Sequence, residues 1–313
     1  MAQPVIGVIG LGIMGSAMAQ ELIRHGHPVV GYDIDRGCVQ RFKAMGGKPL
    51  ASAAAVALRA DAVITSLATS AALAATVDAM AGARWPAGRK PPLLIETSTL
   101  PLADKARTQE ALRRIGMAVL DCPISGTARR MEQRAWTIYC SGSKAGYKQA
   151  VPILQAFTDS LPYVGAFGNG TKMKFAANHL VAIYNVAYAE SITLARKLGL
   201  DAADVLALFA PSPVLGTGVM RMRMPFMVDR QYLPATMKVE VWQKDMQVIG
   251  DMAKAVACPT PLFTACVPIY TAAMAQGLAL EDTASVSEVL GAMAGLPARK
   301  PGAAKKAGAR RRG

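Results

Sequence analysis

Cysteine and histidine are scarce in this 313-residue chain, which has five and three of them. The cysteines are scattered, without a Cys-x-x-Cys pair or a metal-like Cys/His spacing. An odd number of scattered cysteines suits reduced thiols in a cytosol better than a disulfide framework. We therefore expect free thiols and no metal site.

The sequence also lacks an uninterrupted apolar run of about 18 residues, which a transmembrane helix would need. Strand-like residues begin at Val5, which leaves no room ahead of them for a signal peptide. We therefore expect a cytoplasmic protein with no membrane partner. The chain is long enough to bury a sizeable core, and its length suggests two domains.

Acidic residues are too few to balance the basic ones, and the formal net charge is +14. Half of this excess lies in residues 297–313, which contain seven basic residues, no acid and a filler of Ala, Gly and Pro. That composition predicts a disordered basic tail. Since no aromatic or helix-turn-helix signal accompanies it, we expect no specific nucleic-acid partner. The remaining charge of +7 suits a protein that attracts small anionic substrates.

Glycines near the start of the chain form a recognisable pattern. The run Gly10-Leu11-Gly12-Ile13-Met14-Gly15 follows a strand-like segment, Val5–Ile9, and opens a helix-like segment that ends at Arg24. In such a turn the first glycine bends the chain, the second admits a pyrophosphate, and the third lets helix and strand pack closely. The helix start presents free N–H groups to the anion. These six residues are therefore predicted to bind a dinucleotide.

An acidic residue follows the next predicted strand, Val29–Tyr32. Asp33 lies 23 residues after Gly10, about where a carboxylate binds the adenosine ribose hydroxyls. An acid there favours NAD over NADP, whereas Arg36 could pair with a 2′-phosphate. The alternative is that Asp33 is a helix N-cap or a turn residue. We expect NAD as the cofactor, with NADP as the alternative.

Strand and helix patterns alternate through the first half of the chain. Further strands are predicted over residues 62–67, 93–95, 117–120, 136–140 and 161–164. Helices are predicted between them, over residues 36–45, 52–59, 70–80, 102–115 and 145–157. This alternation indicates an α/β domain with a parallel, doubly wound Rossmann-type sheet.

From Gly170 onward the strand signals end. A helical run over residues 171–198 is apolar on most sides, which predicts a buried helix linking two domains. Runs over 235–257 and 261–276 complete an all-α domain. We therefore predict an NAD(P)-binding domain over residues 1–167, a helical domain over 168–296 and the basic tail over 297–313.

Lys174 and Asn178 stand four residues apart on the long helix, which places them about 40° apart on one face. His179 is displaced from Lys174 by about 140° and is interpreted as a packed or rim histidine. Hydride transfer to or from an alcohol needs a partner for the hydroxyl proton. A lysine tuned by burial and by a cationic cofactor ring suits that task. Taken alone, a lysine at this place is more often a snorkelling side chain.

Four motifs resemble those of the β-hydroxyacid dehydrogenase family. They are the glycine turn, Asp121-Cys122-Pro123-Ile124-Ser125-Gly126, Gly168-Asn169-Gly170-Thr171-Lys172-Met173-Lys174 with Asn178, and Lys244-Asp245. Each motif alone is weak, but four in order at plausible spacings form a strong signal. The resemblance extends from about Val5 to Leu290. It implies an NAD(P)-dependent enzyme acting on a short 3-hydroxy acid or sugar acid, such as 3-hydroxyisobutyrate, tartronate semialdehyde/glycerate or threonate.

The resemblance also implies catalytic and substrate-binding roles. Lys174 would be the general acid/base, and Asn178 would orient the hydroxyl or carbonyl oxygen of the substrate. Ser125 and Gly126 would hold the substrate carboxylate through a hydroxyl and a backbone N–H. Lys244 would lie over the nicotinamide side of the pocket.

Further cofactor contacts follow from the same resemblance. Leu67, Ala68 and Thr99 match positions at which the family touches the cofactor, although Ala68 replaces the usual proline. A homodimer or homotetramer is also implied.

The predicted substrate loop, which contains Ser125 and Gly126 and continues to Arg134, departs from the family pattern. Thr127, Arg129, Arg130 and Arg134 stand where relatives carry small residues. One interpretation is a solvated surface loop. The other is a pocket altered for a larger or more anionic substrate, because arginine suits carboxylates and Thr127 could bind a hydroxyl.

Two alternative functions remain open at this point. One is an imine reductase-like enzyme, and the other is a catalytically silent nucleotide-binding relative that uses its basic tail on nucleic acid. Both kinds of relative usually lack the lysine, so Lys174 argues against them.

Overall fold

The computed structural model describes residues 3–128, 131 and 133–299. These residues form two compact units, one that ends at Asn178 and one that begins at His179. The division falls inside a long helix, and the domain boundary expected between residues 167 and 168 stays a prediction. Strands and helices alternate in the first unit, whereas the second unit is helical.

A parallel sheet forms the centre of the first unit. Its strands are β1 (Ile6–Ile9), β2 (Val29–Tyr32), β3 (Lys48–Pro49), β4 (Ala62–Thr65), β5 (Leu93–Glu96) and β6 (Val119–Asp121). Among the described residues they pair in the order β3-β2-β1-β4-β5-β6, with parallel neighbours throughout. β1, β4 and β5 are buried along their whole length, as expected of strands covered on both faces. The predicted doubly wound, Rossmann-type sheet is confirmed.

Helices pack on both faces of this sheet. They are α1 (Ile13–Arg24), α2 (Arg36–Ala44), α3 (Ala53–Arg59), α4 (Ser70–Ala81), α5 (Leu102–Arg113) and α6 (Lys144–Leu154). Their bounds agree with the predicted helices to within three residues. One reason is that Asp35, Ser52 and Thr69 cap the helices that follow them, a signal visible in the sequence.

A short antiparallel pair follows the parallel sheet. β7 (Ile124–Ser125) pairs with β8 (Thr137–Ile138), which is shorter than the strand predicted over residues 136–140. The strand predicted over residues 161–164 was wrong, because this segment pairs only at isolated positions such as Cys140 with Tyr163. An apolar run without a continuous partner makes single bridges but no ladder.

The helices of the second unit begin with a shared element. α7 (Asn169–Lys197) starts in the first unit and continues into the second. The helices that follow are α8 (Ala202–Phe209), α9 (Gly218–Asp229), α10 (Val239–Ala255), α11 (Pro261–Ala275) and α12 (Val286–Met293). The helical class is confirmed, but α8, α9 and α12 were not predicted individually. α9 contains Pro225, a residue that weakens helix signals in a sequence.

α7 differs from its prediction. Its sequence predicts burial on all sides, whereas Met173, Leu180 and Leu194 expose 47%, 47% and 61% of their surface. Polar Asn185 is instead buried, and its amide group donates to the hydroxyl of Tyr270 at 3.1 Å. An apolar helix sequence does not decide which of its faces is covered.

The first residues of the predicted tail contact the second unit. The guanidinium of Arg230 donates to the Pro297 carbonyl at 3.1 Å. Arg299 pairs with Glu281 and lies over the ring of Tyr232, 5.3 Å from its centroid. Residues 297–299 therefore belong with the second unit, which corrects the predicted start of the tail. The rest of it, residues 300–313, lies outside the described residues.

The helices and the cysteines of the described chain can be compared with the expectations of no membrane span and of free thiols. Within the described part of the chain, the helices are too short or too polar to cross a membrane. The five cysteines are free, and Cys258 is exposed while the other four are buried.

Candidate functional site

The glycine turn between β1 and α1 has a separate steric reason for each glycine. Gly10 has a φ of 87°, and a Cβ atom there would lie 2.2 Å from the Ser66 carbonyl oxygen. A Cβ at Gly15 would lie 1.8 Å from the carbonyl oxygen of Gly10, so only glycine lets α1 pack this closely. A Cβ at Gly12 would meet no atom of the described chain within 4 Å. The space beside Gly12 is therefore open to a ligand.

The start of α1 faces the same open space. Gly12 is its N-cap, and within the described residues no side chain bonds to the free N–H groups of the first turn, which contains no acid. The side chain of Ile13 is 77% exposed, whereas Leu11 is completely buried beneath the turn. An uncapped helix start concentrates N–H donors and positive dipole charge, which suits a phosphate group.

Asp33 connects the end of β2 to this turn. Its Oδ2 atom accepts the N–H of Leu11 at 2.6 Å, and its Oδ1 atom accepts the N–H of Asp35 at 2.8 Å. The helix cap is Asp35, which accepts the N–H of Cys38, so the N-cap alternative for Asp33 is wrong. The turn alternative is confirmed, because Asp33 bonds to the N–H two residues further along the chain. Each carboxylate oxygen has a second lone pair, which leaves Asp33 able to accept ribose hydroxyls.

The other predicted cofactor residues follow neighbouring strands. Leu67 and Ala68 come after β4, and Thr99 comes after β5. The N–H of Leu67 donates to the Ser98 hydroxyl at 2.8 Å, which fixes one of these loops against the other. Because β1, β2, β4 and β5 are parallel, their carboxyl ends and the predicted cofactor residues share one edge of the sheet.

The predicted substrate loop is held by a buried tryptophan. Gly126 has a φ of 154°, and a Cβ atom there would lie 2.3 Å from Trp136. The indole N–H of Trp136 donates to the Thr127 carbonyl at 2.8 Å. The Thr127 hydroxyl is buried, and it has no hydrogen-bond partner within the part of the chain that the structure describes. A buried hydroxyl without a partner is unfavourable unless a ligand satisfies it.

The arginines of this loop divide into two groups. Arg129 and Arg130 lie outside the described residues. Arg134 forms an ion pair of 2.7 Å with Asp159 and also donates to the Gln155 carbonyl at 3.0 Å. These contacts favour the surface-loop interpretation for Arg134.

The first turn of α7 is anchored below the predicted catalytic residues. Asp121 accepts the N–H of Thr171 at 2.7 Å and its hydroxyl at 2.7 Å, and the Ser141 hydroxyl accepts the N–H of Gly170 at 2.9 Å. Lys174 follows Thr171 by three residues and is half-buried. Asn178 is 4% exposed. The sequence motif contained Asp121, but its contact with α7 was not predicted because 50 residues separate the partners.

Two predicted residues lie in the second unit. Lys244 is on α10, with its amine 3.4 Å from a carboxylate oxygen of the buried Asp245. The ring of His179 stacks on Phe263 with centroids 5.2 Å apart. That contact agrees with the interpretation of His179 as a packed residue.

Comparison with known families identifies two matches, one after the other along the chain. Residues 5–165 match the family model described as the NAD binding domain of 6-phosphogluconate dehydrogenase. Residues 168–290 match the model described as NAD-binding of NADP-dependent 3-hydroxyisobutyrate dehydrogenase.

Individual relatives extend over almost the same range. L-threonate dehydrogenase of Cupriavidus necator is 30% identical and covers 91% of this chain and 95% of its own length. Glyoxylate/succinic semialdehyde reductase 2 of Arabidopsis thaliana, a chloroplastic protein, is 28% identical and covers 91% of this chain and 79% of its own. The crystal structure of 3-hydroxyisobutyrate dehydrogenase from Salmonella typhimurium has a TM-score of 0.81 at 26% identity, covering 92% of this chain and 100% of that one.

Proposed function

The chain belongs to the β-hydroxyacid dehydrogenase family, and we propose that it transfers a hydride between a nicotinamide cofactor and a short 3-hydroxy acid or sugar acid. The observation that carries the proposal is the pair of family matches over residues 5–165 and 168–290. The first match contains the glycine turn with its open position at Gly12, and the second contains Lys174 and Asn178.

The residues at the sheet edge fit an NAD(P) cofactor. The uncapped N–H groups at the start of α1 would hold the pyrophosphate, and Asp33 would hold the adenosine ribose. Leu67, Ala68 and Thr99 would contact the same cofactor. When bound, the nicotinamide supplies the hydride acceptor or donor. We propose NAD as the preferred form because the Asp33 carboxylate would repel a 2′-phosphate.

Lys174 would transfer the proton that accompanies oxidation. As the carbon–hydrogen bond of the alcohol breaks, the amine of Lys174 takes the hydroxyl proton, and it returns this proton during reduction of the carbonyl. Asn178 would hold the reacting oxygen by a hydrogen bond from the same helix face. The anchored first turn of α7 keeps the lysine backbone in a fixed place during this transfer.

The substrate loop would recognise a carboxylate and a further hydroxyl. Ser125 and the backbone N–H of Gly126 would bind the carboxylate, with Lys244 as an additional substrate and cofactor contact. The hydroxyl of Thr127, which has no hydrogen-bond partner among the described residues, supports a substrate with an extra hydroxyl group. A sugar acid of the threonate type meets this requirement better than 3-hydroxyisobutyrate.

We also propose that the protein is a cytoplasmic homodimer or homotetramer. Large apolar side chains on helices of the second unit support self-association, since Leu194, Leu208 and Leu262 are 61%, 72% and 67% exposed. Light scattering at micromolar concentration should give a mass of two or four chains. A mass near 32.9 kDa would contradict the oligomer.

The direct test of the proposed reaction is a substrate screen. Three- and four-carbon hydroxy acids are incubated with NAD or NADP, and the corresponding carbonyl acids with the reduced cofactors, while the absorbance of reduced nicotinamide is followed. We expect turnover of at least one 3-hydroxy acid or sugar acid. Turnover of cyclic imines without any turnover of hydroxy acids would identify an imine reductase instead.

A further inference from the structure

A lysine without any exposed surface lies behind the edge of the sheet. The amine of Lys105, on α5, lies 2.7 Å from Glu96 at the end of β5 and 2.7 Å from Asp121 at the end of β6. The side chains of Lys105, Glu96 and Asp121 are 0%, 1% and 0% exposed. Burial lowers the pKa of the Lys105 amine, but the two carboxylates outweigh it and raise this pKa above its usual value. The two carboxylates therefore favour the charged form of the buried Lys105 amine.

Lys105, Glu96 and Asp121 form a buried cluster, and both carboxylates also accept hydrogen bonds from parts of the proposed site. Glu96 accepts the N–H of Ser98 at 2.9 Å, and the Ser98 hydroxyl accepts the N–H of Leu67 at 2.8 Å. Asp121 accepts both the N–H and the hydroxyl of Thr171 on α7. A continuous chain of polar contacts thus connects a proposed cofactor loop with the turn that precedes Lys174.

A buried ion cluster of this kind is weak evidence for stability. Removing charges from water costs free energy, and apolar side chains of similar volume often stabilise a core at least as well. What the cluster supplies is geometry, since Asp121 accepts the Lys105 amine together with the N–H and the hydroxyl of Thr171. Without the cation, the buried carboxylates of Glu96 and Asp121 would face each other with their negative charges unbalanced, and their repulsion would displace Asp121 from its contacts with Thr171.

We propose that Lys105 is a positioning residue, which holds Asp121 in place and thereby fixes the first turn of α7. This inference rests on the proposed function, because it matters for the reaction only if Lys174 transfers the proton. Lys105 itself is completely buried and acts through Asp121.

The first test is Lys105→Met, which keeps a long side chain and removes the charge. We expect kcat for the best hydroxy acid of the screen to fall at least tenfold, while its KM and the Kd of NADH change less than threefold. Hydrogen exchange in a peptide covering residues 168–175 should become at least tenfold faster. A peptide covering α1 should exchange as in the parent.

A second variant keeps every charge. Thr171→Val removes the hydroxyl that donates to Asp121 and leaves the backbone N–H in place. Its matched control is Thr108→Val, since this buried threonine is on α5, one turn from Lys105, and its hydroxyl donates within the helix to the Asp104 carbonyl. We expect kcat to fall about fivefold in Thr171→Val and to stay unchanged in Thr108→Val.

The outcomes separate the two proposals. A parent protein that turns over no hydroxy acid contradicts the proposed function, and hydrogen exchange in residues 168–175 still tests the positioning of α7. Lower melting temperatures with normal kcat and normal exchange in Lys105→Met and Thr171→Val would show that the cluster is only structural and would overturn the inference.

Discussion

The backbone N–H of Leu11 donates to the Oδ2 atom of Asp33 over 2.6 Å. The two residues come from different predicted parts of a cofactor site, the pyrophosphate turn and the ribose acid. Their hydrogen bond makes the carboxylate a brace for the turn as well as a candidate ligand for the ribose. Substitution of Asp33 therefore changes both charge and geometry, and a test of cofactor choice has to separate them.

Asp33→Asn and Asp33→Ser separate these two effects. Asparagine can still accept the N–H of Leu11, whereas serine is too short to replace the carboxylate at both of its contacts. We expect the parent to prefer NAD, and both variants to narrow the ratio of kcat/KM for NAD over NADP by roughly tenfold, because a repulsive charge is lost. Only Asp33→Ser should also weaken the binding of NADH through a looser turn. Higher efficiency of the parent with NADPH would show that Arg36 or another base controls the choice.

The glycine turn gives a second prediction, in which one alanine substitution weakens cofactor binding and another lowers the stability of the fold. Gly12→Ala should leave the melting temperature within about 1 °C of the parent value, because the new Cβ meets no atom of the described chain within 4 Å. It should raise the Kd of NADH at least about tenfold, because the new Cβ would occupy space proposed for the pyrophosphate. Gly15→Ala should destabilise the fold itself, since its Cβ would overlap the Gly10 carbonyl. Thermal melting and NADH fluorescence titration measure both quantities. Unchanged NADH binding by Gly12→Ala would place the cofactor elsewhere.

The substrate loop gives a third prediction, which rests on Thr127. Thr127→Val replaces a buried hydroxyl that has no partner among the described residues, so stability should not decrease. If a substrate hydroxyl binds there, KM for threonate should rise by roughly tenfold, about 1.4 kcal/mol, while KM for 3-hydroxyisobutyrate stays the same. Equal effects on both substrates would mean that Thr127 does not distinguish them.

The start of the basic tail gives a fourth prediction. A chain that ends at Arg299 keeps the contacts of Pro297 and Arg299 with the second unit, whereas a chain that ends at Leu296 loses them. We expect the chain that ends at Arg299 to match the full chain in turnover and melting temperature. The chain that ends at Leu296 should melt roughly 2–4 °C lower, which corresponds to a loss of about 1 kcal/mol in the free energy of unfolding. Equal melting temperatures for the two products would show that these contacts contribute nothing.

The features that the sequence predicted well have local causes. α1 begins at Ile13 and ends at Arg24 as expected, because the glycine turn before it and the apolar spacing within it are both local signals. The parallel sheet followed from the alternation of short apolar runs with helices. The exposure of Leu194 on α7 was not predicted, because periodicity does not show which face of an apolar helix finds a partner.

The anchoring of the proposed catalytic helix could not be predicted for a different reason. Asp121 and Thr171 are 50 residues apart, and Lys105 is 16 residues from Asp121. Lys105 sits in a helix with many charged residues, where a lysine is normally solvated. Its burial depends on two carboxylates at the ends of neighbouring strands, and only the folded chain brings them together.

The role of Lys174 is the central claim, and one pair of variants tests it most directly. Lys174→Ala removes the proposed proton-transfer group, and Lys172→Ala removes an exposed lysine from the same helix turn as a matched control. Turnover of the best hydroxy acid is measured at saturating substrate, together with the Kd of NADH. We predict that Lys174→Ala loses roughly two to four decades of kcat while binding NADH normally, and that Lys172→Ala keeps the parent kcat. Near-normal kcat in Lys174→Ala would contradict the account, because the proton would then be transferred by another group.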